Sequence, residues 1–445
     1  MRYFVDTLLT IISLSGKLTA TNTGVCMTYL ELVRTNTHFR RLWMGDVVSL
    51  LGDWFNTIAI YTLLERLSGS PFALGLVFII KMSAYALASP LAGVIADRFD
   101  RRRLMIGADL LRAVVVLGFL WIDSAQKLPL LYVLIALQIA IGSVFRPARS
   151  ASLPNLTRSP EELLTANALM ASTWSSLLAL GAALGGFATE WLGETAVFLL
   201  DSGTYLLSAF FLWRARIPQP SRERDGRGLM EVARTQVIEG WRYLLAHPRV
   251  GRMALAKTCW ASGGSALVYS LAMLGPHLSS EAEAVAIGAL FAARGLGTGI
   301  GPIAARAVFK DWSSWPLVMG VCILISGAIY MLPAWLPWQT GILLVPIVLA
   351  HALSGANWVL SSVLLQERTE DKFRGRVFAT EWLLLTLVNV VAIGAASLMM
   401  EHGVLDLRGT YMVFGGVIVL GGVLWLALVV PAEARDRLQS GSNPS

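Results

Sequence analysis

Charge is scarce in this chain. Only 15% of its 445 residues are Asp, Glu, Lys or Arg, 55% are hydrophobic, and mean hydropathy is +0.62. Ordinary soluble domains carry about 25% charged residues, so the shortage excludes a water-facing globule. It excludes disordered, collagen-like and coiled-coil chains as well. Cysteine is also sparse: Cys26, Cys259 and Cys322 have neither metal-ligand spacing nor the makings of a disulfide framework, and read as small apolar packing residues. No P-loop is present, so ATP is not the expected energy source. Zinc-protease, nucleophile-elbow and dinucleotide patterns are missing too, so no enzyme, cofactor or metal site is expected.

What the chain has instead is long apolar runs. A membrane-spanning helix needs about 20 mostly apolar residues. Twelve such runs occur, near 42–66, 72–96, 103–122, 129–148, 165–189, 194–213, 251–274, 285–307, 315–335, 339–364, 376–400 and 410–430. They are continuous rather than alternating, which excludes a transmembrane β-barrel. Forty glycines suit helices that must approach closely in lipid. The expected class is an all-α membrane protein of twelve transmembrane helices, with lipid as its solvent.

The basic residues then set the orientation. With a cytoplasmic N-terminus, 29 of the 36 Lys and Arg residues fall in inner segments and three (Arg66, Lys127 and Arg408) in outer ones. Lys81, Arg112, Lys257 and Arg294 fall within spans. By the positive-inside rule both termini are expected in the cytoplasm. The net charge of +7 is accounted for without a nucleic-acid partner. The first 26 residues combine a short apolar run with Asp6 and Lys17, lack a cleavage site, and are expected to precede a native start at Met27.

One long polar interruption divides the chain. The expected organisation is an N-terminal segment 1–41, a six-helix half 42–213, a cytoplasmic linker 214–250, a second six-helix half 251–430 and a tail 431–445. The linker opens with Pro218, Gln219, Pro220 and Ser221 and carries, among others, Arg222, Arg224 and Arg227. Its later part, Leu229 to Leu245, reads as an amphipathic helix or plain connector, with Met230, Val237, Trp241 and Leu244 as apolar anchors. The halves repeat: Gly93-Val94-Ile95-Ala96-Asp97-Arg98 ends span 2 and Gly301-Pro302-Ile303-Ala304-Ala305-Arg306 ends span 8, 208 residues on. Paired six-span repeats are a transporter architecture, with the substrate between them.

The stretch Gly93-Val94-Ile95-Ala96-Asp97-Arg98-Phe99-Asp100-Arg101-Arg102-Arg103 resembles the G-x-x-x-D-R-x-G-R-R-K signature of the major facilitator superfamily, with Asp100 where the pattern has glycine. Residues 38–430 look like its bacterial branch of enterobactin-exporter-like and macrolide-efflux-like permeases. Leu50 to Phe55, Phe145 to Arg149, Glu161 to Leu169 and Arg374 to Val377 also match. The resemblance implies a gate in which Asp97 meets span 11, with Arg98 and Arg101 beside it and Arg146 and Arg149 as candidate partners. Gly93 is expected to let span 2 touch a neighbour closely. Gly181-Ala182-Ala183-Leu184-Gly185-Gly186 is similar to the exporter pattern G-P-x-x-G-G, with alanine in place of proline.

Ionisable groups inside spans are costly and therefore candidates for function. Asp46, Ser49, Asp53 and Asn56 recur at steps of three, four and three, on one face of span 1. Loss of hydration favours the neutral form of a carboxyl group, so such a group can exchange a proton. Asp53 and Asp46 are the leading proton-coupling candidates, followed by Glu381; Asp46 could instead pair with Arg40 or Arg41. Asp201 reads as a packing-network member, and Asp109 and Arg112 as a mutual pair. The resemblance puts spans 1, 4, 7 and 10 around a cavity, which makes Gln138, Ser262, Tyr269, His351 and Trp358 cavity candidates; Arg294, deep in span 8, joins them as a counter-charge for the carboxylates or a contact for an anionic substrate. The expected function is proton-coupled export of a small amphipathic molecule (siderophore, antibiotic or metabolite) from a bacterial cytoplasmic membrane. The alternatives are an importer or facilitator of the same fold, or a transporter-like sensor.

Overall fold

The computed structural model describes residues 27–219 and 228–441. Arg2, Asp6, Lys17 and Cys26, together with Pro220, Ser221, Arg222, Arg224 and Arg227 of the linker, lie outside the described residues. Among the described residues all regular structure is helical. That is what lipid requires, because a helix satisfies its backbone donors and acceptors within one segment.

A short helix, α1 (Tyr29–Thr35), is followed by α2 (Thr37–Ser68), α3 (Pro71–Arg98), α4 (Arg101–Leu117), α5 (Leu128–Gly142), α6 (Phe145–Leu156) and α7 (Pro160–Arg214). The linker helix α8 (Leu229–Ala246) leads to α9 (Pro248–Leu278), α10 (Glu283–Val308), α11 (Trp315–Met331), α12 (Leu344–Arg368), α13 (Arg374–Glu401), α14 (Leu407–Leu424) and α15 (Val430–Gly441). Among the described residues ten helical segments are long and apolar enough to cross a membrane. The 55-residue α7 is one of them, and a helix that long would run about 80 Å at 1.5 Å per residue. It breaks at Gly193, whose φ of 77° only glycine adopts freely, and so supplies two spans. The 31-residue α9 is long enough to cross but interrupted by polar groups such as Lys257, Thr258, Ser262 and Ser265, and makes the twelfth. The twelve apolar runs are twelve spans.

Helix ends follow local chemistry. Asp100, standing where glycine was the pattern, caps α4: its Oδ1 accepts from the Arg103 amide at 2.7 Å. The carboxylate thus fixes the turn that glycine would leave free. Prolines sit in the first turn of α5, α7, α9 and α11, where no backbone donor is lost.

The described residues form two compact units, one of those up to Ser68 with Leu87–Ala233, the other of Gly69–Ala86 with those from Arg234 onward. In the first, α7 packs along α2 and α4. In the second, α10 packs on α12, and α14 on α9 and α11. The first half of α3 groups with the second unit through specific contacts. The Tyr269 hydroxyl donates to the Pro71 carbonyl at 2.7 Å, and Glu401 accepts from Ser70 Oγ at 2.7 Å and from the Phe72 amide at 3.2 Å.

The repeat seen in the sequence recurs as packing. Gly52 of α2 lies against Thr204 and Asp201 of α7, so that an added Cβ would collide with Thr204. Gly263 of α9 lies in the same way against the Phe414 carbonyl of α14. The two glycines are 211 residues apart and their partners Thr204 and Phe414 are 210 apart. The positive-φ glycines Gly193 and Gly403 are also 210 apart. In each unit the first and sixth spans thus meet at glycine, where a bare backbone lets helices approach closely.

Candidate functional site

The first unit carries a polar network across its spans. Tyr205 donates its hydroxyl hydrogen to Asp53 Oδ1 and accepts from Gln138 Nε2 at 3.0 Å. Arg112 Nη1 lies 4.0 Å from Asp53 Oδ2, and the guanidinium sits over the Tyr205 ring, 4.3 Å from its centroid. Arg112 also pairs with Asp109, as the three-residue spacing predicts, and Asp109 accepts from Ser208 Oγ at 2.6 Å. Asn56 donates to Asp201 at 2.6 Å. Asp109, Asp201 and Tyr205 are fully buried, whereas the Asp53 side chain is 36% exposed. Asp53 is therefore the accessible end of an otherwise closed network.

Asp46 goes elsewhere. Arg149 Nη1 donates to its Oδ1 at 2.6 Å, and the carboxylate is buried. The pairing with Arg40 or Arg41 is not formed: Arg40 reaches the Val33 carbonyl and Arg41 the Arg214 carbonyl. Because Arg149 is committed to Asp46, it is not the partner of Asp97 that the resemblance implied. Asp97 is 3.7 Å from Arg101 Nη2, one helical turn on. Arg101 is held as well by Gln219 of the linker, which accepts its amide at 2.9 Å, and it donates from Nη1 to the Ala151 carbonyl at 2.6 Å. Gln219 donates in turn to the Phe99 carbonyl at 3.1 Å. Arg98 ends α3, and Arg146 is exposed.

Gly93 does not serve close packing here: a Cβ added there meets no atom within 4 Å. Its counterpart Gly301 is pressed against the Ala352 carbonyl of α12. The two matching hexapeptides thus lie in different packing environments. Gly181 and Gly185 do pack tightly, the first on the Trp54 ring and the second on the Trp54 and Phe55 backbone.

In the second unit Glu381 of α13 pairs with Lys257 of α9 at 2.8 Å, and both side chains are buried. The Lys257 ammonium lies 4.8 Å from the centroid of Trp358, a ring that is 41% exposed. Other cavity candidates turn inward. Tyr269 is fully buried on Phe78 and Pro71. His351 is buried with its ring bonded to the Tyr330 hydroxyl at 2.6 Å and set edge-on to Trp260. Neither presents a face to cargo in this structure. Ser262 donates to the Cys259 carbonyl of its own helix at 2.8 Å, and Arg294 lies beside the Phe291 ring. Ser265 donates to Asn389 Oδ1 at 2.5 Å.

The linker helix α8 has two unlike faces. Gly240 lies against Arg376 and Thr380 of α13, Glu239 pairs with Arg376 at 2.8 Å, and Tyr243 packs on Phe373. Leu244 is buried with them, while Met230, Ile238, Trp241 and Leu245 are exposed. Two of the four expected anchors, Met230 and Trp241, therefore point outward, and Leu244 points into the protein. Spans 7 and 10 are joined to α15 by Arg252 and Arg368, which pair with Glu433 at 2.7 and 2.8 Å.

Tyr205 and Lys257 were not singled out as partners by the sequence. Their partners lie 152 and 124 positions away, and tyrosine in an apolar span reads as ordinary packing.

The family model described as Major Facilitator Superfamily matches residues 42–378. The uncharacterized MFS-type transporter YfiS of Bacillus subtilis (strain 168) is 25% identical over 431 residues, covering 93% of this chain and 98% of that protein. The enterobactin exporter EntS of Salmonella choleraesuis (strain SC-B67) is 27% identical over 411 residues, covering 90% and 94%. Among solved structures, the nucleoside transporter NupG superposes with a TM-score of 0.68 at 11% identity, over 87% of this chain and 99% of that one. A bacterial homolog of the human lysosomal transporter Spinster superposes with a TM-score of 0.64 at 15% identity, over 93% and 99%. These two share the fold. With the family model covering most of the chain and full-length relatives on both sides of the linker, the chain belongs to the Major Facilitator Superfamily and is a multi-pass membrane transporter.

Proposed function

We propose that the chain exports a small amphipathic molecule by proton-coupled alternating access, from a bacterial cytoplasmic membrane in which both termini face the cytoplasm. The observation that carries this reading is Asp53. It is a half-exposed carboxylate in the first span, in contact with a tyrosine hydroxyl and close to an arginine. Keeping ionisable groups at this depth is costly, so their presence points to use. A proton arriving at Asp53 neutralises the carboxylate, ends its attraction to Arg112 and turns the carboxyl into a donor where Tyr205 now donates. The network must rearrange, and Arg112 is left to Asp109 alone. That is a local two-state element a proton can bias.

Export is supported by the glycine-rich stretch of span 5 and by relatives named as exporters. The cargo class we propose is a siderophore, antibiotic or metabolite; the relatives named as enterobactin exporters support the first of these. Asp97, Arg98 and Arg101 belong to the inner gate, with Gln219 tying the linker to it.

The test uses everted membrane vesicles with an imposed pH gradient, acidic inside, and labelled candidate cargo. Gradient-dependent accumulation that stops on collapse of the gradient is the expected result. Cargo uptake that equilibrates without reference to the gradient would make the chain a facilitator. No movement of any cargo in a panel spanning siderophores, macrolides and metabolites would favour a sensor.

A further inference from the structure

The Lys257–Glu381 pair is set among aromatic rings. The ammonium lies 4.8 Å from the Trp358 centroid and 5.9 Å from that of Phe378. Trp382, next to Glu381 on α13, meets Trp358 edge-on at 6.1 Å and Tyr85 of α3 edge-on at 5.8 Å. All six residues belong to the second unit. Trp358 is 41% exposed, whereas Lys257 and Glu381 are 4% and 3% exposed at their side chains.

A buried ion pair is a poor device for stability, because apolar residues of the same volume commonly serve as well. Its presence in a span asks for another reason. Two ring faces, Trp358 and Phe378, and one carboxylate form a cage that would suit an organic cation, but Lys257 already fills the cation position. An arriving cation meets a fixed positive charge. An arriving anion meets an ammonium with three N–H donors, one of which goes to Glu381 at 2.8 Å. A flat ring attached to that anion would find the partly exposed Trp358 side chain for stacking.

We infer that Lys257, Glu381 and Trp358, backed by Phe378, Trp382 and Tyr85, form a binding site for an aromatic anion, with Lys257 engaging the negative group and Trp358 the ring. Glu381 holds the lysine in place while the site is empty, and shares it when the anion arrives. The inference rests on the transporter reading above and narrows its cargo to molecules with a negative group beside an aromatic ring.

The distinguishing feature is the sign of one substitution. If Glu381 competes with the ligand for Lys257, Glu381→Gln should tighten anion binding. If the pair is only a staple between α9 and α13, Glu381→Gln and Lys257→Gln should both lower the unfolding temperature and leave no charge-selective binding.

The experiment measures binding to the full-length protein in lipid nanodiscs, without a pH gradient, using 1-naphthoate, neutral 1-naphthamide and cationic 1-naphthylmethylammonium. Naphthoate is expected to bind at least about tenfold tighter than the amide, the margin of one charge-assisted contact. Glu381→Gln should raise that affinity and Lys257→Gln abolish it. Trp358→Ala, which removes a partly exposed ring and spares the ion pair, should weaken it about tenfold. Failure of naphthoate to bind at millimolar concentration, preference for the cation, or weakened naphthoate binding in a folded Glu381→Gln protein would overturn the site. Because binding needs no gradient, charge-selective binding without any transport would sink the export reading and leave the site standing.

Discussion

Arg149 closes on Asp46, with Nη1 2.6 Å from Oδ1 and within bonding distance of the second oxygen as well, 103 positions apart in the chain; the carboxylate is buried in the first unit and the guanidinium largely so. This pair joins α2 to α6 and gives Asp46 a committed charged partner. Removing one partner strands the other charge. Asp46→Ala is expected to destabilise the protein by about 3–5 kcal/mol, and the double variant with Arg149→Ala by clearly less. Thermal unfolding of the purified protein checks both.

Asp53 is separable from Asp46. Asp53→Asn keeps the volume and can still meet the Tyr205 hydroxyl, but it has no proton to exchange. Gradient-driven pumping should fall sharply while abundance and unfolding temperature stay close to the parent. Tyr205→Phe, which removes one hydrogen bond, should shift the pH profile of transport rather than abolish it. Pumping by Asp53→Asn at the parental rate would remove Asp53 from the mechanism.

Asp97 is 58% exposed and lies 3.7 Å from Arg101, so its ion pair contributes little to stability. Asp97→Asn is expected to reduce transport sharply while leaving membrane abundance and unfolding temperature intact. Transport measured against protein quantified by immunoblot separates a gating role from a packing one; an unchanged rate argues against the gate.

Glycine substitutions should divide by neighbour rather than by motif. Gly263→Ala forces a methyl group onto the Phe414 carbonyl and should cost about 1–3 kcal/mol, as overpacking does. Gly52→Ala meets the Thr204 side chain and Asp201, and should cost a similar amount. Gly93→Ala enters open space and should lie within about 0.5 kcal/mol of the parent. A set of unfolding curves for the three variants decides the matter.

The face of span 1 shows how far a helical period reaches. The steps of three, four and three place Asp46, Ser49, Asp53 and Asn56 together, and the helix does keep them on one side. Yet Asp46 turns to Arg149, Asp53 to Tyr205 and Asn56 to Asp201. Three groups that look alike along the sequence have three different partners. The same limit applies to Gly93 and Gly301: their hexapeptides match, but only one faces a neighbouring backbone.

The number of spans, their class and the twofold repeat could be read from the amino acids alone, because a hydrocarbon layer of fixed thickness admits only apolar stretches of a set length with their backbone bonds closed internally. Which buried charge meets which partner was decided by tertiary structure. Those contacts join residues more than a hundred positions apart, and no local periodicity encodes which helix will arrive on a given face.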